Sequence, residues 1–254
     1  MNLRNYLEMS SNYKSNSQKV RVFTEPFVQE NFYCPYCGGG LISRTHNDKV
    51  RDFDCSQCNE NYELKSKQGK SFGKTVMDGK YQTMIERISS NVNPNFYFLN
   101  YDKTNFEVIN FCAVPNYFFT PEIIIPRKNG IPNRPDYIMC HIDISAIPSS
   151  GKIFYVKDKE VVVKTKVIDD WHKTLFLKES KNIQAKGWLL DILKCIEKIN
   201  KNIFSLSDLY FFENYLKIKH PENNNIQAKI RQQLQVLRDK EFLKFTNKGK
   251  YEVL

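Results

Sequence analysis

Four of the seven cysteines stand as two matched pairs, Cys34-x-x-Cys37 and Cys55-x-x-Cys58, with 17 residues between the pairs. Two tight turns that each present two thiolates supply the four soft ligands a tetrahedral Zn²⁺ requires. With thiolate at all four positions the ion has no open coordination site, so it is expected to be structural, in a zinc ribbon spanning 33–60. Disulfides fit less well. The opening segment MNLRNYLEMSSNYKS has no hydrophobic core of a secretory signal, so an oxidising compartment is not expected. Cys112, Cys140 and Cys195 lie in apolar segments and read as core residues, and the four histidines are scattered without metal-ligand spacing.

A length of 254 residues accommodates a medium domain and a small one. Apolar runs such as EIII and VVV fall far below the roughly 18 residues a membrane span needs. No membrane association is expected, and the chain reads as a soluble, cytoplasmic monomer. Its formal charge is +10, distributed over both parts of the chain without a polybasic tail. Charge of that size admits a polyanionic partner without requiring one. Residues 16–31 suggest one helix, or two broken near Pro26. Over Thr75–Ser89, Tyr81, Met84, Ile85 and Ile88 recur at helical spacing. NFYFLNY and FEVINFCAV, split by DKTN, predict a hairpin. The polar run 178–186 is expected to be a linker between domains 1–178 and 179–254. Beyond it come three helical stretches and a hairpin at Asn247-Lys248-Gly249, which is the order of a winged helix.

The second signal lies beside the cysteines, in Arg51-Asp52-Phe53-Asp54 and Tyr62-Glu63-Leu64-Lys65. In a strand, Glu63 and Lys65 share one face while Tyr62 and Leu64 take the other. If 51–54 is the neighbouring strand, Asp52 or Asp54 stands beside Glu63. Two carboxylates can hold Mg²⁺ while a lysine orients water and offsets charge developing on a phosphodiester. An acid-x-Lys string alone says little: Asp78-Gly79-Lys80 and Glu179-Ser180-Lys181 have the same form. The first is interrupted by Gly79 and the second falls in a polar run, so neither is expected to have an apolar strand beneath it, and a solvated salt-bridging strand is the bland alternative for Glu63 and Lys65.

These segments resemble the DpnI-like methyl-directed restriction endonucleases of the PD-(D/E)xK nuclease superfamily. The likeness is carried by YKSNSQK at 13–19, YCPYCGG at 33–39, DFDCSQCNENYELKSK at 52–67, NPNFYFL at 93–99, RQQLQVLRDKE at 231–241 and KGKY at 248–251. It implies an α/β (α+β) PD-(D/E)xK core with an inserted zinc ribbon and a C-terminal winged helix. It also implies Mg²⁺-dependent cleavage of double-stranded DNA at GATC carrying N6-methyladenine. Carried over by position, the catalytic residues are Asp52, Glu63 and Lys65, with Asp52, Glu63 and the Leu64 carbonyl at Mg²⁺ and Cys34, Cys37, Cys55 and Cys58 at Zn²⁺. One departure is that Arg51, not proline, precedes Asp52.

Reading GATC calls for base-edge contacts from a helix in the major groove. The last helix offers Gln227, Arg231 and Gln232 away from its apolar stripe, and Lys248 and Lys250 in the hairpin suit phosphate contacts. The competing reading is a non-catalytic zinc-ribbon and winged-helix regulator.

Overall fold

The computed structural model describes residues 1–44, 51–90, 92–179 and 183–254. They form two compact units, Met1–Ala146 with Ser150–Thr174, and Ile147–Ser149 with Leu175–Leu254. In chain order the first unit contains α1 (Asn16–Asn31), β1 (Leu41–Ser43), β2 (Phe53–Cys55), β3 (Asn61–Gln68), β4 (Thr75–Lys80), α2 (Tyr81–Ser89), β5 (Asn95–Tyr101) and β6 (Val108–Val114). It continues with β7 (Ile124–Pro126), β8 (Met139–Asp143), β9 (Ile153–Lys157), β10 (Glu160–Val161) and α3 (Lys164–His172).

Seven strands form the main sheet in the order β1-β2-β3-β5-β6-β9-β10, and β4-β8-β7 form a second sheet. β3 and β5 run parallel because β4 and α2 make the crossover between them; the other ladders of the main sheet are antiparallel. The core is aromatic. Tyr62, Tyr97, Tyr155, Phe53, Phe96, Phe98 and Phe111 are almost wholly buried, and the rings of Tyr62 and Tyr97 stack at 4.4 Å. Each such burial contributes about 1.5–3 kcal/mol of hydrophobic stabilisation.

Of two local expectations, one is settled and one is corrected. α1 is one helix straight through Pro26, held to the core by the buried faces of Phe23, Phe27 and Val28. Tertiary burial there outweighs the hydrogen bond that proline cannot donate. The helix expected over Thr75–Ser89 begins only at Tyr81. Residues 75–80 are a strand whose partner, β8, lies more than sixty residues away in sequence, so its pairing leaves no local trace.

The second unit contains α4 (Phe176–Glu179), α5 (Ile183–Ile199), β11 (Ile203–Ser205), α6 (Leu206–Tyr210), α7 (Glu213–Lys219), α8 (Ile226–Asp239), β12 (Leu243–Asn247) and β13 (Lys250–Val253). α4 and α5 enter the polar run 178–186 from its two ends, and its residues 180–182 lie outside the described residues. Ile226, Ile230, Leu234 and Leu237 form the buried stripe of α8 against α5. The hairpin β12–β13 turns at Lys248-Gly249, where Gly249 takes φ +70°, a value that suits glycine. Sequence periodicity missed β11, a three-residue strand that pairs with β13. Ser205 then closes a reciprocal capping box with Asp208 at the start of α6.

The Ser205 amide, the Lys201 ammonium and the Ser205 hydroxyl hold Asp208 down to about 2. Asp208→Ala is expected to lower the stability of the second unit by about 1 kcal/mol. Because the folded value lies below the unfolded one, this contribution is complete above about pH 4 and fades as pH falls toward 2. Denaturant unfolding of both proteins at neutral and acid pH measures it, and equal midpoints at neutral pH would remove the cap's role.

Candidate active site and metal centre

The cysteine pairs meet at the turns flanking β1 and β2. Their sulfurs all lie within 4.8 Å of one another, and the Cys34–Cys58, Cys37–Cys55 and Cys37–Cys58 distances are 3.7, 3.4 and 3.6 Å. A tetrahedron with Zn–S bonds of 2.3 Å has edges of about 3.8 Å. The donor set and its size therefore fit zinc. Burial pushes the Cys34 thiol up, and pushes Cys58 up to about 12. Burial acts the same way on Cys55, but the Gln57 amide and neighbouring thiols outweigh it and lower that group. A dication is what allows such a set to ionise together. The Tyr62 hydroxyl lies 2.9 Å from Cys34 Sγ, tying the cluster to β3.

β3 leaves the cluster along the floor of a cleft of about 930 Å³ whose lining includes Asp52, Glu63, Leu64 and Lys65. β2 pairs with β3 at Phe53↔Tyr62 and Asp54↔Asn61. Asp52 therefore lies just past the ladder, where its amide donates to the Tyr62 carbonyl at 2.8 Å. Its carboxylate accepts from the Leu64 amide at 2.7 Å and from Arg21 at 2.9 Å. Within a strand the N–H and C=O of one residue point to the same side. The Leu64 carbonyl accordingly faces the same open edge as Asp52. Asp54 is held instead by Arg44 and, at 3.4 Å, by Arg51. The structure thus separates two acids that strand parity could not tell apart.

The Glu63 and Lys65 side chains share one face of β3, opposite that of Tyr62 and Leu64, with their charged atoms 2.5 Å apart. Arg87 on α2 donates to the second Glu63 oxygen at 2.7 Å, and Asp78 on β4 pairs with the Lys65 ammonium. Burial works against the charge on Lys65, but Glu63 and Asp78 outweigh it and the group is raised. Glu63, Asp78, Lys65 and Arg87 thus form one linked cluster of charges on this face.

Two family profiles match the chain: one described as DpnI, Dam-replacing family, over residues 1–180, and one described as the Dam-replacing HTH domain over residues 184–253. The chain belongs to the DpnI, or Dam-replacing, family. Membership gives it a restriction-endonuclease, DNA-binding character, with a C-terminal helix-turn-helix. Among the described residues of this family member, no helix is long and apolar enough to cross a membrane. In its helix-turn-helix unit the residues singled out for DNA are exposed. The Gln227 amide donates to Glu213 at 2.8 Å, Arg231 donates to the Tyr210 hydroxyl at 2.6 Å, and Gln232 accepts from Lys229 at 2.8 Å. Lys248 and Lys250 stand exposed on the hairpin.

Sequence reasoning missed Glu25 and Arg21, which line the cleft from α1, and Arg87, which reaches Glu63 from α2; the tertiary fold alone brings them there. It also passed over His141 and Tyr137, which line the cleft. Glu25 is buried on α1, and its carboxyl is raised to about 7, first by burial and then by the Asp52 carboxylate, against the pull of Arg21. The unfolded value is about 4.3. Raising pH between these values ionises Glu25 more readily in the unfolded chain and so costs the folded state stability. In magnesium-free buffer the wild type is expected to lose stability relative to Glu25→Gln between about pH 5 and about pH 8. Parallel unfolding midpoints for the two proteins across that range would contradict this.

Proposed function

We propose that this member of the Dam-replacing family is a Mg²⁺-dependent endonuclease that cuts double-stranded DNA at GATC carrying N6-methyladenine. In this reading a PD-(D/E)xK core does the chemistry and a winged helix assists recognition. The observation that carries it is the convergence of Asp52, Glu63, Leu64 and Lys65 on one cleft edge, where Asp52 already grips the Leu64 amide. Asp52, Glu63 and the Leu64 carbonyl would hold the magnesium ion, an all-oxygen set of the kind this hard cation takes. When bound, Mg²⁺ supplies charge neutralisation at the phosphoryl group and acidifies a water. Lys65 offers hydrogen bonds that orient the attacking water and compensate charge growing on the phosphoryl oxygens. Water adds to phosphorus as the bond from phosphorus to the leaving sugar oxygen breaks. Zn²⁺ on Cys34, Cys37, Cys55 and Cys58 is structural in this reading, because thiolates fill all four positions.

Recognition follows from the same chemistry. Arg231 suits guanine edges, Gln227 and Gln232 suit adenine, and Lys248 and Lys250 suit the backbone. Methylation removes one adenine donor, so selection of the methylated base needs an apolar recess. A single methyl there is worth about 1 kcal/mol, too little for strict choice. Reading the methyl groups of both strands multiplies the discrimination. The chain acts in the cytoplasm, as a monomer, on incoming methylated DNA.

Metal analysis of protein purified without added zinc is expected to return one zinc per chain. Cys37→Ser should lose it and melt at a lower temperature; full thermal stability without zinc would contradict a structural ion. The function is tested with one plasmid prepared with and without adenine methylation and incubated with wild type, Asp52→Ala or Lys65→Ala in Mg²⁺. Fragments ending at GATC are expected only with wild type on methylated plasmid, and not in EDTA. Cutting of both plasmids would retain the nuclease and discard the methyl reader. Retarded but intact DNA in every lane would leave a DNA-binding regulator.

A further inference from the structure

We infer that Asp78 is the positioning residue for Lys65, the anion that keeps its ammonium beside the cleft edge when Glu63 is engaged elsewhere. The inference rests on the nuclease reading of the site and goes beyond it by assigning a role to a residue of the second sheet. A lysine ammonium is a point charge on a four-carbon stem with many rotamers. For it to orient a water or a phosphoryl oxygen, its position must be fixed before reaction. Two anions reach Lys65 in this structure, Glu63 and Asp78.

Their surroundings differ. Glu63 also accepts from Arg87, and its oxygens are those a cation at the cleft edge would take. Asp78 sits on β4, outside the cleft lining that includes Asp52 and Glu63, with its side chain only 5% exposed. Once a cation draws on Glu63, Asp78 is the anion left to Lys65. Burial opposes ionisation of Asp78, but the Lys65 charge and hydrogen bond outweigh it and the carboxyl is lowered.

The backbone is arranged for this contact. The β4–β8 register shifts between Asp78 and Lys80, so that Asp78 pairs with Cys140 and Lys80 with Met139, the next residue along β8, and Gly79 is left over. An extra residue of this kind turns the side chains beside it, and such bulges recur next to active sites. In β4, Val76 and Asp78 are buried while Met77 between them is exposed. An acid thus occupies a position that strand alternation reserves for an apolar side chain. A buried acid there is costly unless paired, and Lys65 is its partner. The Asp78-Gly79-Lys80 string, uninformative as an acid-x-Lys motif, acts through its acid alone and on the lysine of another strand.

The test uses the full chain carrying Asp78→Asn, which keeps size and removes charge, and Asp78→Glu, which keeps charge. With methylated plasmid and Mg²⁺, Asp78→Asn is expected to lower kcat by about 10- to 100-fold. KM and the Mg²⁺ concentration for half-maximal rate should stay within about twofold of wild type, and Asp78→Glu should retain more of the rate. A second readout needs no turnover: acylation of surface amines followed by peptide mass spectrometry. Lys65 should be slow to label in wild type and about tenfold faster in Asp78→Asn, with the exposed Lys67 unchanged as the internal reference. Unchanged kcat with unchanged Lys65 labelling overturns the inference. So does a shifted Mg²⁺ requirement, which would make Asp78 a metal ligand, and so does failure of both variants to fold, which would make it a purely structural residue. A wild type that cuts nothing overturns the nuclease reading and the catalytic half of this inference, while the labelling still decides whether Asp78 holds the ammonium.

Discussion

The pairing of Phe53 with Tyr62 sets the facing of the acids at the cleft, because the hairpin it belongs to carries cysteines at one end and carboxylates at the other. Cys55 closes β2, Cys58 lies in the turn, Asp52 enters the hairpin and Glu63 leaves it. A slip of one residue would turn Glu63 and Lys65 to the face now held by Tyr62 and Leu64. Two things oppose that slip. The cysteine cluster fixes the turn, and Tyr62 is committed on both sides, with its ring stacked on Tyr97 and its hydroxyl against Cys34. A cysteine cluster at one end of a hairpin can in this way hold the facing of the carboxylates at its other end.

What could be read from the sequence was what local spacing encodes. The two Cys-x-x-Cys turns, the β5–β6 hairpin, the apolar stripe of α8 and the alternation in Tyr62-Glu63-Leu64-Lys65 each follow from neighbours within a few residues. The short strands β4 and β11 were not legible, since each is defined by a distant partner and has too few residues for a pattern. The same limit applied to the site. Glu25 and Arg87 look like ordinary helix-surface charges until the fold turns them inward. Asp78 had a signal, an acid between Val76 and Cys140 across a buried strand face, but it becomes visible only once residues 75–80 are known to be extended.

The aromatic core explains why so charged a cluster can persist beside it. Phe96 and Phe98 on β5 stand in register beside Glu63 and Lys65 on the same sheet face, and Lys65 lies 5.9 Å from the Phe96 ring. The low effective dielectric around these groups strengthens each ion pair and raises the penalty for leaving any member unpaired. Each acid in the network is accordingly paired with at least one base: Glu25 and Asp52 with Arg21, Glu63 with Lys65 and Arg87, and Asp78 with Lys65.

That network has odd parity. Among the described residues, the acids Glu25, Asp52, Glu63 and Asp78 pair with the bases Arg21, Lys65 and Arg87, one base fewer than the acids. Near neutrality a proton on Glu25 can close the difference, since that carboxyl titrates at about 7. In the proposed reading, a dication at Asp52 and Glu63 would more than offset the same charge and so favour loss of that proton. In that reading, proton and cation would compete for one excess of negative charge, as counterions compete on an exchange resin.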